Sequence, residues 1–331
     1  MYKILKEKML IFLLLSLIVV LAACNGNDAS ESKDNDTQNN NESSYPEETI
    51  ELVVPASAGG DTDRNARLLA EYLEEELDQS VVVENVEGSS GSVGVQEVMD
   101  AEPDGYKVLY FHNNILLNDL FEVSDNSYED LKMVGISELD YSNGLVVSGD
   151  SPYENLEDLI DDAEENPEEI DLATSQGSFT HLQMSAFEKA ADIEFNFVDS
   201  GDFAERNSAL LGGHLDVVPI QLGLVNEYVE NGDMKSLGVL SEDRLDKYPD
   251  VPTFKEQGVD IDFEKFFFTA LPKETPDDVA DTLSDAIENV TKDEDYLKEA
   301  KEYGLEPEFI DQKGTEELMQ EDKEEYKEIL E

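Results

Sequence analysis

IELVVPASAGGDTDRNARLLAEYLEEEL, Ile50 to Leu77, decides how the rest of the chain is read. Ile50–Val54 is short, apolar and largely β-branched, and Pro55 stops it, so it reads as a buried strand. Ala56–Asp61 is small and carries the pair Gly59-Gly60, which lets the backbone take positive φ and approach a ligand closely. Asp61 or Thr62 is expected to cap the helix that follows, whose apolar positions Ala66, Leu69, Ala70, Leu73 and Leu77 share one face. Strand, glycine turn and helix start together point unpaired N–H groups at one spot, suited to a carboxylate or phosphate. A plain strand-to-helix connection has the same form and binds nothing, so the stretch fixes a fold class before a function.

The 331 residues allow two domains of ordinary size. Lys3, Lys6 and Lys8 precede the apolar run Met9–Val20 and then Leu21-Ala22-Ala23-Cys24. That order reads as a lipoprotein signal peptide over residues 1–23, with Cys24 as the lipid-bearing first residue of the mature chain. Residues 24–44 are nearly all polar and read as a disordered tether. Cys24 is the single cysteine, which rules out an intramolecular disulfide. Eighty acidic residues against 22 basic ones give a formal charge of −58, which argues against nucleic acid as a partner. The acids cluster on expected helix faces such as Glu74–Glu76, Asp161–Glu165 and Glu321–Glu325. An acidic surface adapted to a saline medium is the reading this favours over a cationic substrate.

Strands are expected at Val81–Glu84 and Tyr106–Phe111, the first leading into a glycine-serine loop and the second ending at His112-Asn113-Asn114. With the opening stretch they make a βαβαβ half whose ligand groups sit at strand C-termini. Met133–Ile136 and Leu145–Val147 carry the chain into a second lobe, where Ser151-Pro152-Tyr153-Glu154 is expected to open a helix. Ile170–Thr174, Ser175–Thr180 and the helix after them repeat the opening design. Alternation then continues through strands at Glu194–Val198, Leu215–Val218 and Lys235–Leu240, implying a mostly parallel sheet. Phe263–Leu271 returns the chain to the first lobe, and acidic helices are expected after Gly304 and Gly314. Two crossings mean a hinge beside a cleft, with the two small-residue turns facing each other.

Pro55, Gly59, Gly60, Asp63 and Arg67 fill the pattern Pro-x-x-x-Gly-Gly-x-x-Asp-x-x-x-Arg. Val83-Glu84-Asn85, Gly88–Gly94, Pro103-Asp104-Gly105-Tyr106, Ser175–His181, Leu211–Asp216 and Pro249–Gly258 follow in order. Together they resemble the solute-binding proteins of tripartite tricarboxylate transporters, the Bug-type receptors. The resemblance implies an α/β, two-lobed, type II-like periplasmic-binding-protein fold with a hinge and an interlobe ligand cleft. On that reading residues 45–143 and 267–331 form lobe 1 and residues 144–266 form lobe 2. It also implies an extracytoplasmic receptor that takes a small organic anion and delivers it to membrane permease subunits, and the Cys24 signal adds the expectation of a lipid anchor in the cell membrane. Departures from the pattern are Val86-Glu87 where Arg-Pro is usual, Asp199-Ser200-Gly201 for Tyr-Lys-Gly, and Phe266–Phe268 for a tryptophan.

The first candidate site is Ser57, Ala58, Gly59, Gly60, Asp61 and Thr62, whose N–H donors are expected to hold an anion without any Lys or Arg. The second is Ser175, Gln176, Gly177, Ser178 and Thr180, with simple helix capping by Ser178 as the alternative. Ser89 lies in the glycine-serine loop, and His112 and Asn113 end a strand at the cleft mouth, either as ligand contacts or in ordinary polar roles. Asp199 either meets an ammonium or hydroxyl or caps the helix near Phe203, and Gln221 follows a strand. Asp63 and Arg67 read as a structural pair. Gly88-Ser89-Ser90-Gly91-Ser92 lacks the last glycine of a nucleophile elbow, and Gly88, Gly91 and Gly94 have the wrong spacing for a dinucleotide fingerprint. His112, His181 and His214 show no metal-ligand spacing, so neither cofactor nor metal is expected. A receptor feeding a signalling partner and an extracytoplasmic α/β hydrolase are the alternatives, the latter with no nucleophile to assign.

Overall fold

The computed structural model describes residues 45–331; the signal segment, Cys24 and the tether lie outside the described residues. The chain runs β1 (Ile50–Val54), α1 (Asp61–Leu77), β2 (Val81–Asn85), α2 (Ser92–Met99), β3 (Lys107–His112), α3 (Ile115–Leu120) and β4 (Leu131–Asp140). It continues through β5 (Asn143–Ser148), α4 (Leu156–Glu165), β6 (Asp171–Thr174), α5 (Phe179–Ala191), β7 (Asn196–Asp199), α6 (Phe203–Leu211), β8 (Val217–Gln221), α7 (Asn226–Glu230) and β9 (Met234–Val239). It ends with β10 (Lys265–Pro272), α8 (Asp277–Val290), α9 (Glu294–Tyr303), β11 (Leu305–Asp311) and α10 (Gln312–Leu330).

Two sheets result. One has the order β11-β4-β10-β3-β1-β2 and the other β7-β6-β8-β5-β9. β1 pairs in parallel with β2 and β3, as the opening βαβαβ reading requires. The expected mostly parallel second sheet is instead mixed, with β6 parallel to β7 and β8 but β5 antiparallel to β8 and β9. The reason is the route of the chain: β5 enters straight from β4 through Tyr141-Ser142, with no helical crossover to keep it parallel. β10 likewise returns antiparallel between β3 and β4.

β10 is the spine of the first sheet, and all eight of its residues are buried. Phe266, Phe267 and Phe268 are fully buried, each removing enough apolar surface to favour folding by about 2–3 kcal/mol. Phe267 stacks on Tyr110 of β3 with ring centroids 5.6 Å apart. α1 packs Ala66, Leu69, Ala70 and Leu73 into the same core, on the face the sequence spacing shows.

Three local expectations need correction. The N-cap of α1 is Gly60, not Asp61 or Thr62, which already lie within the helix. α4 starts at Leu156, capped by the Asn155 side chain on the Asp158 N–H at 3.0 Å. Ser151 is held in the preceding turn, its carbonyl accepting from Lys235 Nζ at 2.8 Å. After Gly304 comes a strand, not a helix: Gly304 caps α9 at φ 84°, and β11 pairs antiparallel with β4. Gly314 sits inside α10, where the Asp311 side chain caps its N–H at 2.8 Å.

Candidate functional site

A cavity of about 360 Å³ opens where the strand ends of both sheets meet. The loop after β1 supplies Ser57 and Gly60, the start of α1 supplies Asp61 and Thr62, and the loop after β2 supplies Glu87 to Gly91. His112 comes from β3, Asn114 follows it, and Lys265 opens β10. From the second sheet come Ser175, Ser178, Phe179 and Thr180 around the start of α5, Arg206 on α6 and Gln221 on β8. The two small-residue turns therefore share one cavity. Of the sequence candidates, Ser57, Gly60, Asp61, Thr62, Ser89, His112, Ser175, Ser178, Thr180 and Gln221 line it, whereas Ala58, Gly59, Asn113, Gln176, Gly177 and Asp199 do not.

The first turn is more internally bonded than an open amide cradle. Asp63 accepts the Gly59 N–H at 2.9 Å and also holds Arg67 at 2.8 Å and Asn85 Nδ2 at 2.9 Å, which makes Asp63 and Arg67 the structural pair expected. The Thr62 N–H donates to Asp61 Oδ1 at 2.8 Å. The Asp61 N–H, at the first helical position, has no intrahelical partner, and Asp61 lines the cavity.

A basic residue stands beside this turn in addition to its N–H donors. Lys265 pairs with Asp61 across the cavity floor, and its side chain is 7% exposed. Burial would raise the Asp61 carboxyl, but the Lys265 ammonium and the Thr62 N–H hold it well below the usual range. Burial, then the same ammonium, pushes His112 well below its ordinary value, so the ring is neutral at pH 7. His112 Nδ1 accepts the Asn114 N–H at 3.2 Å, which leaves the ring proton on Nε2.

Asn113 turns away from the cavity: its Nδ2 donates to the Glu264 carbonyl at 3.0 Å and to Tyr326 Oη at 2.6 Å. Asn114 is the one that faces in. Its Nδ2 donates to the Ser90 carbonyl at 2.7 Å and its Oδ1 accepts the Phe179 N–H at 2.6 Å. One side chain thus ties a loop of the first sheet to a helix start of the second.

At the second turn, Ser178 does cap its helix, accepting the His181 N–H at 3.2 Å. Its hydroxyl also lies 2.8 Å from that of Thr180, on the cavity wall. The Gly177 N–H is taken by His181 Nδ1 at 3.2 Å. Ser175 Oγ donates to Asp199 at 3.2 Å and accepts from Arg206 Nη2 at 2.9 Å. Asp202, not Asp199, caps α6, accepting the Glu205 N–H at 2.9 Å. Gln221 has both amide ends committed, Nε2 to Asp140 at 2.8 Å and Oε1 to Arg64. The Arg64 guanidinium lies 4.3 Å over the Tyr303 ring.

Arg206, Lys265 and Asn114 are among the wall residues that the sequence reading missed. Lys265 carried a signal, a single cation opening the aromatic run Phe266–Phe268. Asn114 carried one too, as part of the polar run His112-Asn113-Asn114 that ends the strand. Arg206 sits in an ordinary helix with nothing in its neighbours to mark it. Charged groups on the wall are Asp61, Glu87 and Asp202 against Lys265 and Arg206. With hydroxyls and helix-start N–H groups between them, such a wall is suited to orienting a small polar anion and presents no assembled nucleophile and base.

Comparison with known proteins agrees. Residues 65–331 match the family described as tripartite tricarboxylate transporter family receptor. A UPF0065 protein from the gbd 5'region of Cupriavidus necator is 31% identical over 269 residues, covering 80% of this chain and 81% of that one. The periplasmic binding protein BugD superposes with a TM-score of 0.80 at 26% identity, over 86% of this chain and 97% of its own. A Rhodopseudomonas palustris protein solved with adipate has the same fold, at a TM-score of 0.81 and 24% identity, over 86% of this chain and 97% of its own. A shared cavity between two sheets and a family match over most of the chain lead to one conclusion: this chain belongs to the tripartite tricarboxylate transporter receptor family of solute-binding proteins.

Proposed function

We propose that this receptor is lipid-anchored through Cys24 on the outer side of the cell membrane and closes on a small organic acid, a di- or tricarboxylate or a close relative. The proposed lobes are residues 45–143 with 267–331 and residues 144–266, and the cavity lies between them. The ligand is then delivered to the membrane permease subunits of a tripartite transporter. The observation that carries this is the meeting of two helix-start turns, one from each sheet, on a single cavity of about 360 Å³. The adipate in the R. palustris neighbour supports a carboxylic acid as the ligand class. Closure follows from differential affinity, because an acid held by both walls binds the closed arrangement better than the open one. The formal charge of −58 further supports an acidic surface adapted to salt, whose ions screen the repulsion a dianion would meet.

A thermal-shift panel tests the reading. In molar salt, a saturating di- or tricarboxylate raises the melting temperature by several degrees, as a ligand at about 100 times its Kd adds about 2.7 kcal/mol. Sugars leave it unchanged. A flat response across the whole carboxylate panel contradicts the reading.

A further inference from the structure

We propose that Arg206 reads a second negative group on the ligand, so that the site takes a dicarboxylate in preference to a monocarboxylate of the same length. This rests on the receptor reading above. The two cations of the wall are not equivalent. Lys265 is already neutralised by Asp61. Arg206 is half-buried on the same wall, and its hydrogen bonds go to neutral oxygens: Nε to the Ser200 carbonyl at 3.2 Å and Nη2 to Ser175 Oγ at 2.9 Å.

Among the described residues no carboxylate pairs with Arg206, and its Nη1 has no partner. Asp199 and Asp202 lie beside it and Asp61 faces it from the first sheet, and all three act on its charge without contacting it. Two neutral anchors on two edges hold the guanidinium plane still and leave it without a direct ion pair, its three nearby carboxylates acting only from a distance. A partly desolvated cation of that kind is costly until an anion reaches it, and its fixed fork suits a carboxylate. Across the cavity, the unpartnered Asp61 N–H at the start of α1 offers a place for the other end of the ligand. A linear diacid therefore has a receiver on each wall, and a monoacid has only one. In a chain of formal charge −58, a dianion needs such a local cation more than a monoanion does.

The competing role for Arg206 is to bolt the Ser175 and Ser200 loops together. Titration calorimetry with matched pairs, adipate against hexanoate and succinate against butyrate, separates the two. Unmodified protein is expected to bind each diacid at least about tenfold tighter than its monoacid, the usual scale for one charge-assisted contact. Arg206→Gln then weakens the diacid about 10- to 100-fold and the monoacid less than about threefold, so the ratio collapses. Arg206→Lys restores part of the ratio as a point charge without the fork. Equal weakening of diacid and monoacid assigns Arg206 the bolting role and overturns the proposal. Should Arg206→Gln fail to fold, the unmodified protein alone decides, because equal affinity for diacid and monoacid also overturns it. Binding of both classes without preference leaves the receptor reading standing, whereas binding of neither removes that reading as well.

Discussion

Glu138 is fully buried in β4, and among the described residues no cation acts on its carboxyl. Three hydroxyls serve its carboxyl, those of Tyr110 at 3.2 Å, Ser137 and Tyr296. Burial nevertheless outweighs these donors and pushes its pKa up to about 7. The folded state therefore holds a proton that the unfolded chain releases near pH 4.5. Its contribution is full below that value and is lost as pH rises through about 7. Glu138→Gln, which cannot ionise, should gain on the unmodified protein by about 1–3 kcal/mol between about pH 5 and pH 8. Urea unfolding of both proteins across that range checks it, and a difference independent of pH contradicts it. At this scale the sequence was legible where a residue's neighbours constrain it. Ser57, Gly60 and Ser178 follow from strand-turn-helix chemistry, and Asp63 with Arg67 from helical spacing. Arg206 was not legible, because its place on the cavity wall depends on how α6 packs beside the Ser175 turn.

Among the elements, the short link from β3 into α3 joins the two halves of the site. The Phe179 N–H, which opens α5, is satisfied by Asn114 Oδ1 and not by its own helix. Phe179 is buried, so loss of that acceptor leaves a donor that water cannot easily reach. Asn114→Ala should cost about 1–3 kcal/mol of stability, read from a lower urea midpoint at unchanged slope. A loss under about 0.5 kcal/mol contradicts the assignment. β1, β2, β3 and α1 were readable because apolar runs, glycine turns and one-faced spacing agree there. β11 was not, because Leu305-Glu306-Pro307-Glu308 carries the acid-rich composition of the surrounding helices and Pro307 masks an edge strand. The start of α4 was misplaced because Ser151-Pro152 looks like a cap, yet its groups serve the turn before the helix.

For the whole molecule, the question is how a chain of formal charge −58 would hold the negative guest proposed for it. Mixed sheets arise because the chain crosses between them through β5 and back through β10, and the crossings bring the strand ends of both sheets to one place. There the wall sets Lys265 and Arg206, helix-start N–H groups and hydroxyls against its acids. Order of motifs made the two-sheet plan legible; the balance of charge inside the cavity depends on contacts between residues far apart in sequence. Calorimetric titration of a short dicarboxylate into the purified protein in molar salt tests this account most directly. A saturable isotherm with one site per chain, and no heat from a sugar of similar size, is the predicted result. Absence of saturable binding by every mono-, di- and tricarboxylate tried would contradict it.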